Sequence, residues 1–340
     1  MPAPRKGGPS QDAMIPREPR GGVEPPSLSD DPDLYLIRDW IASQNDQGPG
    51  FGGVIRDTFD QIYDGQRTGR WDPSQLNKTE KTHIGTLVQI NLQKEFEIPD
   101  GAELDYNICG LEVDIKFSGT LYGWMIPQEM YAKYGPQLAL VVSADDYASR
   151  WAAGVVRTEP RYLTVGEGNQ DKKRSLSNEG RDRVLWVRHG TLVANSLLHM
   201  DEESRTHILE TTSGQEAINR LFRSQQGMLI NRATVLTVAQ QDDPLKRVRD
   251  ARIHLKPEGI VIFGHYDPHP SDAVRLGLPR PSLGRFVSAR LARWRDGDAQ
   301  PFIELKSGRW RVADARDPVT PAPSLAAQGR QEDLTPDAGI

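Results

Sequence analysis

The chain has 340 residues, 37 % hydrophobic and 26 % charged, with a formal net charge of −5. That length accommodates two domains of about 150 residues each. No apolar run approaches the roughly 20 residues of a membrane span, and the single cysteine, Cys109, excludes an internal disulfide framework; both predict a soluble protein of a reducing cytoplasm with no membrane partner.

Residues 1–30 are rich in Pro, Gly and charge and lack the apolar core of a signal peptide; they read as a disordered extension. Leu34, Ile37, Trp40 and Ile41 have helical spacing. Asp72-Pro73, with Gln75 as a capping-box partner, predicts the start of a helix running to about Phe96. Its apolar face is Ile84, Leu87, Val88 and Leu92. Leu104–Ile108 and Leu111–Phe117 read as short strands joined by Cys109-Gly110. Residues 137–144 form an apolar run that suits a buried strand, and 154–156 suit another. A charged stretch from Gly166 to Arg183 follows. The predicted divisions are an N-terminal domain over 31–186, a linker over 187–196, a second domain over 197–318 and a disordered tail over 319–340.

In the second half, 215–224 and 231–238 read as helices, Gln241-Asp242-Asp243-Pro244 as a turn, 245–255 as a basic helix and 259–264 as a strand. Helix, turn, basic helix and hairpin is the order of a winged helix-turn-helix. The acidic chain as a whole does not advertise nucleic-acid binding, but its basic residues are clustered. One cluster is Lys172, Lys173, Arg174, Arg181 and Arg183. The other is Lys246, Arg247, Arg249, Arg252 and Lys256, on the basic helix. A solvated amphipathic face is the competing reading of that helix.

The strand around Asp114-Ile115-Lys116 carries the most chemistry. Residues two apart share a face, so Glu112, Asp114, Lys116 and Ser118 form a polar side. A two-residue loop at Cys109-Gly110 pairs Ile108 with Leu111, Asn107 with Glu112 and Tyr106 with Val113, and sets Asp105 opposite Asp114. Facing carboxylates repel; a divalent cation between them removes the conflict, and hard oxygen ligands with retained waters suit Mg²⁺. Lys116 can orient or deprotonate a water or neutralise a phosphate. Asp followed by Asp-x-Lys is the pattern of restriction-endonuclease-like nucleases. A solvated polar strand face fits the same residues. Glu304-Leu305-Lys306, with Asp296 and Asp298 upstream, fits nearly the same template, and spacing does not choose between the two.

Longer strings do choose. Arg56-Asp57-Thr58-Phe59-Asp60-Gln61-Ile62-Tyr63-Asp64-Gly65-Gln66-Arg67-Thr68-Gly69-Arg70-Trp71 resembles the NaeI-type restriction endonucleases, as does Leu76 to Val88. Thr237 to Asp243, Lys246-Arg247-Val248-Arg249 and Pro257-Glu258-Gly259-Ile260 continue the resemblance, which spans about residues 50–318. It implies a homodimer of α+β protomers. Each would have a restriction-endonuclease-like mixed sheet flanked by helices, then a C-terminal winged helix-turn-helix domain like that of catabolite activator proteins. It implies a Mg²⁺-dependent type II enzyme that binds two copies of a GC-rich palindrome in double-stranded DNA, cutting one while the other activates. Carried over by position, Asp105, Asp114 and Lys116 are the catalytic residues. Asp105, Asp114 and the Ile115 carbonyl are the metal ligands. The helix-turn-helix order makes Lys246, Arg247, Arg249 and Arg252 DNA-binding candidates. One position departs. The family has a catalytic-site glutamate where this chain has Gln89, in Thr86-Leu87-Val88-Gln89-Ile90-Asn91. Glutamine keeps an oxygen but loses the charge. The opposing reading is therefore a winged-helix DNA-binding regulator with a degenerate, inactive nuclease domain.

Two smaller motifs have plainer readings. Ile62-Tyr63-Asp64-Gly65 is similar to the Lys-x-Asp-Gly of DNA ligases, but Ile62 replaces the lysine, so a helix end and turn is expected. His265-Tyr266-Asp267-Pro268-His269 offers metal-ligand types but reads as a loop after a strand.

Overall fold

The structure, a computed structural model, describes residue 16 and residues 24–44, 50–133, 135–164, 172–241 and 244–325. The chain divides into two compact units: Met1–Ile62 with Asp72–Ala194, and Tyr63–Trp71 with Asn195–Ile340.

The first unit contains helices α1 (Pro32–Ser43), α2 (Gly50–Tyr63, its last residue in the other unit), α4 (Lys78–Glu95) and α5 (Asn178–Asp182). Its strands are β1 (Tyr106–Ile108), β2 (Leu111–Ser118), β3 (Leu138–Asp145), β4 (Arg150–Arg157) and β5 (Leu185–Thr191), forming one sheet in the order β1-β2-β3-β4-β5. β2 and β3 are parallel and the other neighbours antiparallel. The mixed sheet with flanking helices fits a restriction-endonuclease-like fold. β3 and β4 are buried along nearly their whole length, which is why they read as apolar runs rather than alternating patterns. The crossover from β2 to β3 inserts Trp124, Ile126, Met130 and Tyr131 into a core with Ala139, Val141 and Val156. α1 packs on β4 and β5, and α4 on β2.

A buried ion cluster ties α2 to the turn between β3 and β4. Arg56 is fully buried, pairs with Asp60 at 2.8 Å and donates to both oxygens of Asp146. Two carboxylates around one guanidinium leave a surplus negative charge. Burial pushes the Asp60 carboxyl up to about 6, with Arg56 pulling it down and Asp146 pushing it further up.

The second unit contains α3 (Gly65–Thr68), α6 (Ser196–His199), α7 (Glu202–Leu209), α8 (Gly214–Ser224), α9 (Arg232–Ala239), α10 (Pro244–His254) and α11 (His269–Arg275). Its strands are β6 (Leu229–Asn231), β7 (Ile260–Phe263), β8 (Arg285–Arg293), β9 (Phe302–Leu305) and β10 (Gly308–Val312). Their order is β6-β8-β10-β9, with β7 also paired to β8. One core joins Ile218, Leu221 and Phe222 of α8, Val235 and Val238 of α9, Val248 and Ala251 of α10, and Ile260 and Ile262 of β7.

Several boundaries differ from expectation. The helix expected from Asp72 is two elements: Asp72 caps a single 3₁₀ turn, Leu76 is extended, and Asn77 with Glu80 forms the capping box that starts α4. Residues 187–191, expected in a linker, continue β5 and pair with β4; the second unit begins at Asn195, whose side chain caps α6. Residues 63–71, expected in the first domain, belong to the second unit. α3 packs on α9, and Asn195 Nδ2 donates to the Trp71 carbonyl at 2.8 Å. Part of the extension is ordered, since Tyr35 donates to the Pro26 carbonyl at 3.0 Å. So is part of the tail, where Ala322 is buried and donates to the Lys256 carbonyl at 2.8 Å. The rest of both segments, and the Asp242-Asp243 turn, lie outside the described residues. Among those residues no helix is long and apolar enough to cross a membrane.

The ion cluster sets a pH dependence. A carboxyl whose folded pKa is raised contributes stability below its unfolded value near 4, and that contribution is lost as pH rises through about 6. D60N should therefore gain stability relative to the parent between pH 4 and pH 8, by up to about 3 kcal/mol. D146N leaves Asp60 as the only carboxylate described on the buried guanidinium, in place of the two-oxygen contact with Asp146, and should lose about 1–3 kcal/mol at pH 8. Thermal midpoints across that range test both, and parallel curves for parent and D60N would refute the assignment.

Candidate active site

The hairpin forms in the expected register: Ile108 faces Leu111, Asn107 faces Glu112 and Tyr106 faces Val113. Cys109 and Gly110 both have positive φ, 54° and 83°, which matches a type I′ turn. The Asn107 side chain accepts from Gly110 N at 3.0 Å.

The ladder ends at Tyr106, so Asp105 is not the next rung opposite Asp114. Its side chain makes the connection instead. Asp105 Oδ2 accepts from the Ile115 N–H at 2.9 Å, and Oδ1 accepts from Gln89 Nε2 of α4 at 2.8 Å. Gln89 is fixed in turn by its element, because Tyr106 Oη donates to the Gln89 carbonyl at 2.7 Å.

Asp114 is 7 % exposed, which rules out a solvated strand face. Its Oδ2 forms an ion pair with Lys116 Nζ, without a hydrogen bond of ordinary geometry. Burial pushes the Asp114 carboxyl up to about 7; Lys116 lowers it and Asp105 raises it. Buried Tyr106 lies close enough to both carboxylates that its hydroxyl is pushed up, by burial first and then by Asp105 and Asp114. The structure thus brings Gln89, Asp105, Asp114 and Lys116 together.

This donor set fits a hard divalent cation. Each Asp105 oxygen accepts one described hydrogen bond, leaving a lone pair on each, and Asp114 Oδ2 is a buried oxygen short of hydrogen-bond donors. Among the described residues no group of three or more His, Cys, Asp or Glu side chains is placed to hold a metal. A pair of carboxylates with waters and a phosphate is nevertheless a normal Mg²⁺ environment.

The competing template is spread over a surface hairpin. Glu304 lies on β9 opposite Arg309, Lys306 is in the exposed turn, and Asp298 is engaged by Arg311 at 2.7 Å. Ile62-Tyr63-Asp64-Gly65 is a helix end: Asp64 takes a left-handed conformation between α2 and α3. His269 is buried and accepts from Gly264 N at 3.2 Å, a loop-supporting role.

The basic residues of α10 divide by helical phase. Lys246 and Arg249 are exposed. Arg247 is partly buried and donates to Gln241 Oε1 at 2.6 Å; Arg252 is partly buried and donates to the Ile262 carbonyl at 3.0 Å. Sequence reasoning missed Glu112, whose carboxylate accepts from three successive main-chain N–H groups of the turn before Asp105, and Tyr106. Their partners lie across the hairpin or on another helix, where no local pattern marks them.

Residues 36–321 match the family described as restriction endonuclease NaeI. Over 304 residues the chain is 47 % identical to the type II restriction enzyme NaeI of Lentzea aerocolonigenes, covering 86 % of this chain and 94 % of that protein. These likenesses, over both units, define a type II restriction enzyme, a site-specific deoxyribonuclease. Within that class, the chain belongs to the NaeI family.

Gln89 offers a direct test of the geometry. In Q89E a carboxylate replaces the amide donor beside Asp105 Oδ1. Metal-free Q89E should lose about 1–3 kcal/mol of stability at pH 8, and several millimolar Mg²⁺ should recover most of the loss. Urea unfolding with and without Mg²⁺ measures both. An unchanged midpoint in metal-free protein would contradict the Gln89–Asp105 contact.

Proposed function

We propose that this restriction enzyme hydrolyses double-stranded DNA with Mg²⁺, at a short GC-rich palindrome, and is activated by binding a second DNA site. The observation that carries the cleavage reading is the joining of Asp105, Asp114 and Lys116 in one partly buried cluster. Asp105, Asp114 and the Ile115 carbonyl would hold the ion, which supplies charge stabilisation at the phosphate and acidifies water. Lys116 extends from the same strand face as Asp114, placed to hold the attacking water or balance the phosphate charge. Gln89 donates to Asp105 and keeps its carboxylate turned towards the cluster, a role glutamate would fill only with a cation present. Hydrolysis would leave a 5′-phosphate and a 3′-hydroxyl. A palindromic site calls for a two-fold homodimer, and DNA entering the cell as target would place the enzyme in the cytoplasm.

The second unit supports a DNA-binding role by its element order. α8, β6, α9, α10 and β7 follow one another, then α11 and β8, and β8 pairs with both β6 and β7. We read this order as a winged helix-turn-helix with α10 as recognition helix and α11 inserted before the last strand. Lys246 and Arg249 face solvent and are assigned to DNA; Arg247 and Arg252 hold α10 against its own unit. Our functional division into cleaving and effector-binding domains follows the two units, with 187–191 kept in the former and 63–71 added to the latter.

Two experiments test this reading. K116A should cut a supercoiled multi-site plasmid with Mg²⁺ at least about 100-fold more slowly than the parent, while K306A cuts at the parental rate. Equal cutting by K116A and the parent would dismiss the cluster as the cleavage site. K246E and R249E should each weaken DNA binding and reduce its salt slope by about 1. R247A should act mainly on thermal stability. Unchanged affinity and slope in K246E/R249E would remove α10 from the interface.

A further inference from the structure

Glu112 lies on β2 two residues before Asp114, and its side chain points into the turn that precedes β1. One oxygen, Oε1, accepts from Ala102 N at 2.8 Å; the other, Oε2, accepts from Glu103 N at 3.1 Å and Leu104 N at 2.8 Å. Three successive N–H groups converging on one carboxylate make a compact anion nest. The next residue along the chain is Asp105. A second observation is independent of those bonds. A Cβ on Gly101 would meet Glu112 Oε2 at 2.6 Å and the Leu104 carbonyl oxygen at 2.4 Å. The turn closes around the carboxylate only because residue 101 has no side chain.

We propose that Glu112 is a positioning residue of the cleavage site, fixing the Gly101–Leu104 turn so that Asp105 is delivered to the divalent ion. This rests on the reading of Asp105 and Asp114 as ion ligands. Asp105 has no strand ladder of its own to hold it, because regular pairing stops at Tyr106. The direction of its carboxylate therefore depends on the main chain just before it. Without the Glu112 anchor, the three N–H groups lose their acceptor, and the turn keeps its closing main-chain bonds from Gly101 N to the Asp105 carbonyl at 3.4 Å and from Asn107 N to the Pro99 carbonyl at 2.8 Å. With the three N–H groups released, Asp105 would meet Gln89 and Ile115 N only part of the time. The hydrogen-bonded support of a metal ligand typically changes affinity 10–100-fold.

The test uses E112Q in the full chain. The amide keeps one acceptor oxygen but turns an NH₂ towards donors. Calorimetric titration of Mn²⁺ into protein without DNA should show about tenfold weaker binding than in the parent. Half-maximal plasmid cleavage should need about tenfold more Mg²⁺, with the parental rate recovered at saturation. DNA affinity in Ca²⁺ should be unchanged. Parental Mn²⁺ affinity in folded E112Q would overturn the proposal. If E112Q does not fold, G101A carries the same test, since its methyl displaces the carboxylate while leaving Glu112 in place. Failure of both to fold would also overturn the proposal, because Glu112 would then support the whole unit rather than the site. If the parent itself neither binds Mn²⁺ nor cuts DNA, the nuclease reading of the cluster fails first. A parent that does both, matched by E112Q, removes only the positioning role.

Discussion

Two carboxylates, Asp105 and Asp114, are held together where water is scarce, and the local structure follows from that constraint. Burial favours protonation of Asp114, and Lys116 opposes it. The Ile115 N–H and the Gln89 amide hold Asp105, and Glu112 anchors the turn before it. Each comes from a different part of the hairpin or from α4. The hairpin register, the tilt of α4 on β2 and the shape of the 101–104 turn are therefore coupled through one small volume. The opposition is incomplete, because the Asp114 carboxyl is still pushed up to about 7. Such residual frustration is expected at a site whose last charge arrives with a ligand.

The hairpin was readable in the chain because its two signals agree. Cys109-Gly110 is short enough to fix the register, and the alternation from Leu111 to Ser118 fixes the faces. The reading failed one residue past the ladder, at Asp105, because a side chain there replaces main-chain pairing and no alternation reports that. Gln89 came from the resemblance to the family, yet its donor role came only from the structure: spacing cannot say which way an amide turns. Glu112 looked like one more residue of a polar face. Its three partners sit across the hairpin, and the only trace in the chain is Gly101, which has many other possible explanations. In the same way, nothing in 63–71 announces that Gly65 must pass against Thr237, where a Cβ would come within 1.9 Å of Oγ1.

The basic helix shows a second limit of composition. Five basic residues close in sequence look equivalent, but a helix gives them different neighbours. Val248, Ala251 and Leu255 face the core, and residues at the flanks of that face are drawn inward. Arg252 and Arg247 fall at the two flanks and reach the Ile262 carbonyl and Gln241. Lys246 and Arg249 lie on the far side. A charge count alone overstates the cationic surface, because an arginine that satisfies a main-chain carbonyl is building the unit as well as charging it.

The departure at Gln89 is best understood as a change in who supplies the positive end of a contact. A glutamate at this place would add a third negative group to Asp105 and Asp114, tolerable only when a cation binds. Glutamine offers an N–H instead, and that N–H holds Asp105 Oδ1 at 2.8 Å. The exchange removes a potential anionic ligand but lowers the repulsion the empty cluster must bear. In the proposed role, the result would be a site with weaker pull on a divalent ion and greater order before the ion arrives. These two effects act in opposite directions on catalysis: pre-organisation reduces the reorganisation needed at binding, while a missing charge reduces the field at the phosphate. With the ligand chemistry confined to two carboxylates, the groups that aim them carry a larger share of the site's function, and Asp105, which lacks a ladder, depends on them most.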